Sequence, residues 1–133
     1  MTYTTEQIHA MSDHELCEAI STARELEPEI PEKWGYFVSY SPDWNWCHYS
    51  DSVIGYWQPI NWLEWNNAGR LLEEMASSID SIEVDDRAFE YPSPFICYVI
   101  HCIGFAVESD NLKRAICEAW LILWYQEKNA NPD

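Results

Sequence analysis

Apolar residues recur at helical spacing in three segments of the chain, most clearly between residues 64 and 75. Positions three, four or seven residues apart repeat there, which places them on one face of a helix. The residues on this face are Trp65, Ala68, Leu71, Leu72 and Met75. We therefore predict a central helix over residues 64–75 whose core face carries these side chains.

Two further helices are predicted near the ends of the chain. Ser12 and Glu15 have the spacing of a capping box, so a helix is expected to begin at Ser12 and to end before Pro28 and Pro31. A short turn capped by Thr5 precedes it. The last helix is expected to be capped by Ser109 or Asp110. Its apolar face carries Leu112, Ala115, Ile116, Ala119 and Leu123.

Strands are predicted wherever aromatic and β-branched residues cluster between turn residues. The predicted strands cover residues 34–40, 44–49, 53–57 (a strand or an extended loop), 79–84 and 95–103. The alternation in residues 79–84 indicates a half-exposed strand, and the apolar run over 95–103 indicates a buried one. Gly104 is expected to bend the chain after it.

These elements follow one another in the order α-β(β)-α-β-β-α and predict an α/β fold. The predicted architecture is a single-domain α-β sandwich, in which helices cover a mostly antiparallel or mixed sheet. A length of 133 residues fits one acidic domain over residues 1–133.

A formal net charge of −16 bears on which molecules this protein could bind. Phosphates require Lys and Arg, so direct binding to nucleic acid or to an anionic membrane is disfavoured. A basic protein surface is a compatible partner, although the charge could equally serve solubility alone. The chain shows neither a membrane-spanning apolar run nor a signal peptide, which predicts a cytoplasmic location.

Six of the eight tryptophans lie between Trp34 and Trp65, a stretch without Lys or Arg. They could fill the core and cover the sheet. Alternatively, Trp44, Trp46 and Trp57 could form an exposed anchor for a protein partner, because Trp is enriched in interface hot spots. Stacking on single-stranded bases is disfavoured without interleaved cations.

The candidate metal and nucleophile residues lack the patterns that these chemistries need. Cys97, His101 and Cys102, together with the distant Cys47–His48 pair, do not show the paired spacing of a zinc site. Glu83, Asp85, Asp86 and Glu90 lack the periodicity of a calcium loop and indicate a solvated turn. Cys17 and Cys117 are interpreted as small core residues, because neither has an evident neighbouring base.

Three segments resemble conserved motifs of the phage ABA sandwich family, which consists of small accessory proteins of tailed phages and prophages. Residues 11–16 (Met-Ser-Asp-His-Glu-Leu) resemble the family's opening (L/M)SDxEL helix. Residues 64–75 resemble its DWNAAxxLVEKM helix, with Glu64 in place of the usual Asp, and residues 108–124 resemble its closing xPxxAICxAAL helix. The resemblance implies the sandwich fold and a phage origin, and it brings no catalytic residues.

The sequence favours a non-enzymatic, phage-encoded inhibitor of a host defence or nucleic-acid-handling protein, of the anti-restriction or anti-CRISPR type. Carboxylates such as Glu25, Glu27 and Glu29 would occupy a basic groove of the target, and Trp44, Trp46 and Trp57 would anchor the complex. No catalytic residue, cofactor or metal is predicted, and the partner would be met in the host cytoplasm. The alternative is a phage accessory protein that acts in replication or assembly through oligomerisation.

Overall fold

The computed structural model describes residues 3–24, 43–48, 55–86 and 96–130, which form four α-helices and five β-strands. A 3₁₀ turn, Ala76–Ser78, joins the third helix to the third strand. In chain order the elements are α1 (Thr5–Ala10), α2 (Asp13–Arg24), β1 (Trp44–His48), β2 (Gly55–Pro59), α3 (Trp65–Met75), β3 (Ile79–Asp86), β4 (Ile96–Cys102), β5 (Phe105–Ser109) and α4 (Leu112–Ala130). The strand predicted over residues 34–40 lies outside the described residues.

Both N-terminal helices begin with a capping box. At α1, Thr4 Oγ1 accepts a hydrogen bond from Gln7 N at 3.1 Å, and Gln7 Oε1 accepts one from Thr4 N at 2.9 Å. At α2, Ser12 Oγ accepts from Glu15 N at 3.1 Å, and Glu15 Oε1 accepts from Ser12 N at 3.2 Å. The Ser12 box is thus confirmed, whereas α1 is capped by Thr4 rather than by Thr5. The pKa of the Glu15 carboxyl is lowered, mainly by its hydrogen bond to the Ser12 backbone N–H and to a smaller extent by the Ser12 side chain.

Helix α3 confirms the predicted central helix, with one correction to its core face. Ala68, Leu71 and Met75 are buried against the core. Trp65, which was placed on the same face, is 57% exposed. It lies in the first turn of α3, and the ammonium group of Lys113 sits 5.2 Å from its ring centroid. The ring therefore stacks under a surface cation and does not enter the core.

Helix α4 is the longest of the described elements and runs through the centre of the core. Asn111 caps it, because Asn111 Oδ1 accepts hydrogen bonds from Lys113 N at 3.0 Å and from Arg114 N at 3.3 Å. The predicted caps, Ser109 and Asp110, are therefore wrong by one or two positions. Residues 115–122 are buried without interruption, because α1, α2, α3, β4 and β5 all pack against this helix.

The strands form two separate antiparallel sheets. Strands β1 and β2 make a hairpin, and β3, β4 and β5 make a three-stranded sheet in sequential order. Gly104, with φ of 93°, forms the turn between β4 and β5, which confirms the predicted bend. The α/β class is confirmed at this level, and the sandwich order remains a prediction.

Trp62 contacts three helices in the core, although the sequence pattern did not identify it as a core residue. Its side chain is fully buried, and its Nε1 donates a hydrogen bond to Ser21 Oγ at 2.8 Å. The guanidinium groups of Arg24 and Arg70 lie 5.0 and 5.2 Å from its ring centroid. The Trp62 carbonyl accepts from the Cys117 thiol at 3.3 Å, so one residue links α2, α3 and α4.

Candidate binding surface

Asp43 fastens the β1–β2 hairpin to the helices. Its carbonyl oxygen accepts hydrogen bonds from Ser21 Oγ at 2.8 Å and from Ile60 N at 3.1 Å. Its carboxylate accepts from Arg24 Nε at 3.1 Å, and Arg24 also pairs with Glu74 of α3. The side chain of Asp43 is only 6% exposed. The position of the hairpin tryptophans therefore follows from buried polar contacts to α2.

The hairpin buries two of the three tryptophans that were predicted to form an exposed anchor. Trp44 is 5% exposed and Trp57 is 7% exposed, whereas Trp46 is half-buried. All three occupy one face of the hairpin, because Trp46 lies opposite Trp57 in the register. The rings of Trp46 and Trp57 make an edge contact, with centroids 5.2 Å apart.

This burial contradicts the exposed-anchor interpretation for Trp44 and Trp57. Both side chains lie beside α2, where they and Glu18 help to line a groove of about 200 Å³. The groove also contains His14, Thr22 and Tyr56. The acidic residues proposed to act with the tryptophans, Glu25, Glu27 and Glu29, lie outside the described residues.

The hairpin also holds a tight backbone approach and an unsatisfied donor. A Cβ atom at Gly55 would lie 2.2 Å from the Cys47 carbonyl oxygen and 2.9 Å from the Trp46 ring, so only glycine fits there. Trp57 Nε1 is buried and has no hydrogen-bond partner in the described part of the chain. A buried unpaired N–H is unfavourable, so the apolar contacts of this ring must outweigh that cost.

The cationic side chains of the described residues are all engaged by the protein itself. Arg24 and Arg70 face Asp43, and Arg114 pairs with Asp13 and Glu118. Lys113 and Lys128 lie over tryptophan rings, at 5.2 Å from Trp65 and 5.5 Å from Trp124. The three arginines therefore pair with buried and with exposed carboxylates, and the two lysines contact aromatic rings rather than carboxylates.

Exposed carboxylates are spread over both helical and sheet regions. In the described ranges, seven of them make no ion pair: Glu6, Glu15, Glu64, Glu73, Asp80, Asp110 and Glu127. Like charges at such a surface repel one another and attract a basic partner. The surface therefore has the electrostatic character that the sequence charge predicted.

A cavity of about 610 Å³ lies beside a buried charge network between α1 and α4. Glu118 is 2% exposed, and its two carboxylate oxygens bond to His9 Nδ1 and to Arg114 Nε, each at 2.8 Å. Arg114 also donates to the carbonyls of Ile8, His9 and Met11 at the end of α1. Burial lowers the pKa of Arg114, but the bond to Glu118 and the other carboxylate contacts raise it overall. The network holds α1 on α4, because Glu118 and Arg114 of α4 bond to the side chain and to backbone carbonyls at the end of α1. Both Glu118 oxygens are engaged by these two partners, His9 and Arg114.

Four of the five cysteines and His101 lie in the core or on the three-stranded sheet, whereas the side chains of His48, Asp85, Asp86 and Glu90 lie outside the described part of the chain. Cys97 and Cys102 are buried, and His101 Nε2 lies 3.2 Å from Glu83 Oε2. Among the residues with described side chains, no group of three His, Cys, Asp or Glu is placed to hold a metal ion. Cys17 and Cys117 are confirmed as core residues, and burial strongly raises the pKa of the Cys117 thiol.

Exposed aliphatic side chains occur on the three-stranded sheet, where the sequence had not suggested a binding surface. Ile82 and Val84 of β3 are 41% and 63% exposed, and Ile103 in the β4–β5 turn is 70% exposed. The alternation over residues 79–84 indicated a half-exposed strand. In the structure, Asp80, Ser81 and Glu83 are exposed as well as Ile82 and Val84, so both faces of residues 80–84 are in contact with solvent.

Comparison with known proteins adds no relative. A scan against protein-family models finds no match, and searches of curated proteins and of solved structures find none either. In the part of the chain that the structure describes, no helix has the length and apolar character needed to cross a bilayer.

Proposed function

We propose that this chain is a non-enzymatic, phage-encoded inhibitor that binds a basic groove on a host defence or nucleic-acid-handling protein. The observation that carries the proposal is the internal engagement of Arg24, Arg70, Arg114, Lys113 and Lys128. Three of these cations pair with carboxylates, and the exposed carboxylates without ion pairs outnumber the two lysines, so negative charge dominates the surface of the described ranges. The resemblance to the phage ABA sandwich family supports the phage origin, and the host cytoplasm is where such a target would be met.

The mechanism is steric and electrostatic. A field of one sign accelerates encounter with a basic partner, and salt screens that acceleration because the Debye length is about 8 Å at physiological ionic strength. The bound acidic surface would then exclude nucleic acid from the same groove. Because Trp44 and Trp57 are buried, the apolar contacts of the complex are assigned instead to exposed side chains such as Val84 and Trp65.

The test begins with capture of the partner from bacterial lysate on the immobilised chain, followed by binding kinetics at low and high salt. The triple variant Glu6→Lys, Glu73→Lys and Glu127→Lys should lower the association rate at low salt by about tenfold. The three positions are exposed, and none of them makes an ion pair in the described part of the chain. The same three positions changed to Gln are the matched control, because that variant alters half as much charge and should have a smaller effect.

The inhibitor proposal also makes a competition prediction. Double-stranded DNA or RNA should displace the chain from the captured partner, whereas the chain alone should bind neither nucleic acid. Affinity that does not change with salt, or tight direct binding of the chain to nucleic acid, would contradict the proposal.

A second candidate function is a phage accessory protein that acts in replication or assembly through oligomerisation. The exposed Ile82 and Val84 on an edge strand favour it, since such strands also pair between copies of one chain. Sedimentation analysis across a concentration series separates the two functions. A concentration-dependent oligomer that is lost in Val84→Lys would favour the accessory role.

A further inference from the structure

Strand β3 pairs on one side only in the described part of the chain. It pairs with β4, and β4 pairs with β5, so β3 is an edge of the three-stranded sheet. Among residues 3–24, 43–48, 55–86 and 96–130, no strand pairs with its other side. An edge strand presents a row of backbone N–H and C=O groups that can pair with another extended chain.

The side chains of β3 continue an apolar face beyond the helix that covers the sheet. Ile82 lies opposite Ile100 and Val84 lies opposite Tyr98, so these pairs share one face. Ile100 is fully buried in the core, where α4 packs over β4 and β5. Ile82 and Val84 extend this face past the helix and remain 41% and 63% exposed.

The protection of the β3 edge consists mainly of negative charge. Natural edges are blocked by charged side chains, especially Lys, by Pro or by a bulge. The β3 sequence Ile-Asp-Ser-Ile-Glu-Val-Asp-Asp contains neither Lys nor Pro. Its one irregularity lies between Ile79 and Ser81, and the register then runs unbroken from Ser81 to Asp86. Six consecutive positions of the strand thus have the regular geometry that strand addition requires.

The charges of β3 indicate which segment fits this edge. The strand contains Asp80, Glu83, Asp85 and Asp86 and no cation. A second copy of β3 would place acids beside acids, and like charges on adjacent strands are destabilising. We propose that β3 is a docking edge for an extended segment of the basic partner, in which Lys or Arg alternates with aliphatic residues. This inference rests on the proposed function, because it names the element that the basic partner would contact.

The first experiment uses a fluorescent eight-residue peptide of alternating Lys and Val, with fluorescence anisotropy as the measurement. Val84→Lys should weaken peptide binding at least tenfold, because it removes an apolar contact and adds a repelling charge. Ile103→Lys is the matched control, since it makes the same charge change at an equally exposed aliphatic residue of the same sheet. It should change the affinity less than threefold. Circular dichroism checks that both variants fold.

Backbone methylation separates strand pairing from simple charge attraction. In a bound strand, alternate N–H groups point toward the neighbouring strand. Methylating one alternate set of peptide nitrogens should abolish binding, and methylating the other set should leave it within threefold. Equal behaviour of the two peptides, or no binding at about 1 mM peptide, would overturn the proposal.

The same variants distinguish a failure of this inference from a failure of the proposed function. Suppose that the captured partner binds in a salt-dependent manner, but equally well to Val84→Lys and Ile103→Lys. The inhibitor function would then stand and the β3 edge would be wrong. A dimer of the free chain that is lost in Val84→Lys would show that a second copy occupies β3, which would also overturn the basic-segment proposal.

Discussion

The β1–β2 hairpin carries three tryptophans and buries two of them, whereas strand β3 carries only aliphatic apolar residues and exposes two of those. Trp44 and Trp57 are 5% and 7% exposed, and Ile82 and Val84 are 41% and 63% exposed. The difference follows from what each element packs against. The hairpin is fastened to α2 through Asp43, while α4 covers β4 and β5 and leaves β3 at the margin.

The comparison shows that residue type alone does not identify a binding surface. Tryptophan is enriched in interface hot spots, but it also has the largest apolar area to bury within a fold. A half-covered strand exposes whichever residues reach beyond its neighbouring helix. The position of an element relative to its sheet and helices therefore outweighs composition in locating an interaction surface.

The largest expected effect in this comparison is on Trp57. Trp57→Ala should lower the free energy of unfolding by about 3–5 kcal/mol, because it removes a buried ring that contacts Trp46. Urea unfolding followed by circular dichroism measures the loss. Trp57→Phe is the control and should cost less than half as much, since it keeps an aromatic ring and removes the unpaired Nε1–H. A loss below about 1 kcal/mol for Trp57→Ala would mean that the hairpin is not packed as described.

The second prediction concerns the stability effect of replacing two glycines, Gly55 and Gly69, whose surroundings differ. Gly55→Ala should cost about 1–3 kcal/mol, because its Cβ would meet the Cys47 carbonyl oxygen and the Trp46 ring. Gly69→Ala is the matched control within α3, where nothing lies within 4 Å of a new Cβ. That change should stabilise the protein by about 0.5–1 kcal/mol through helix propensity. Thermal unfolding of the two variants under one condition tests the opposite signs, and a shared sign would contradict the close approach at Gly55.

Local sequence patterns predicted much of the fold, because caps and periodic apolar positions act over a few residues. The Ser12–Glu15 box, helix α3 and the turn at Gly104 were all found this way. The cap of α4 was misplaced because Ser109, Asp110 and Asn111 are adjacent residues with similar capping ability.

The candidate surface could not be predicted in the same way, because it depends on contacts between distant residues. Trp62 Nε1 bonds to Ser21, which in turn bonds to Asp43, and this chain of contacts decides that the hairpin lies on α2. No local pattern marks such pairs. The exposure of Ile82 likewise depends on its register with Ile100 and on the reach of α4.

The smallest expected effect is at Val84, and it tests the exposed side of the comparison. Val84→Thr should change the free energy of unfolding by no more than about 0.5 kcal/mol, because the side chain is 63% exposed and both residues are β-branched. The same substitution at Val99, which is 7% exposed on the adjacent strand, should cost about 1–3 kcal/mol because it buries a hydroxyl. Chemical unfolding of both variants measures the difference. If Val84→Thr proved as costly as Val99→Thr, part of this protein would cover β3, and the strand could not serve as an open edge for a partner. If Val84→Thr leaves stability unchanged but weakens binding of the Lys–Val peptide, the exposed valine contributes to recognition rather than to folding.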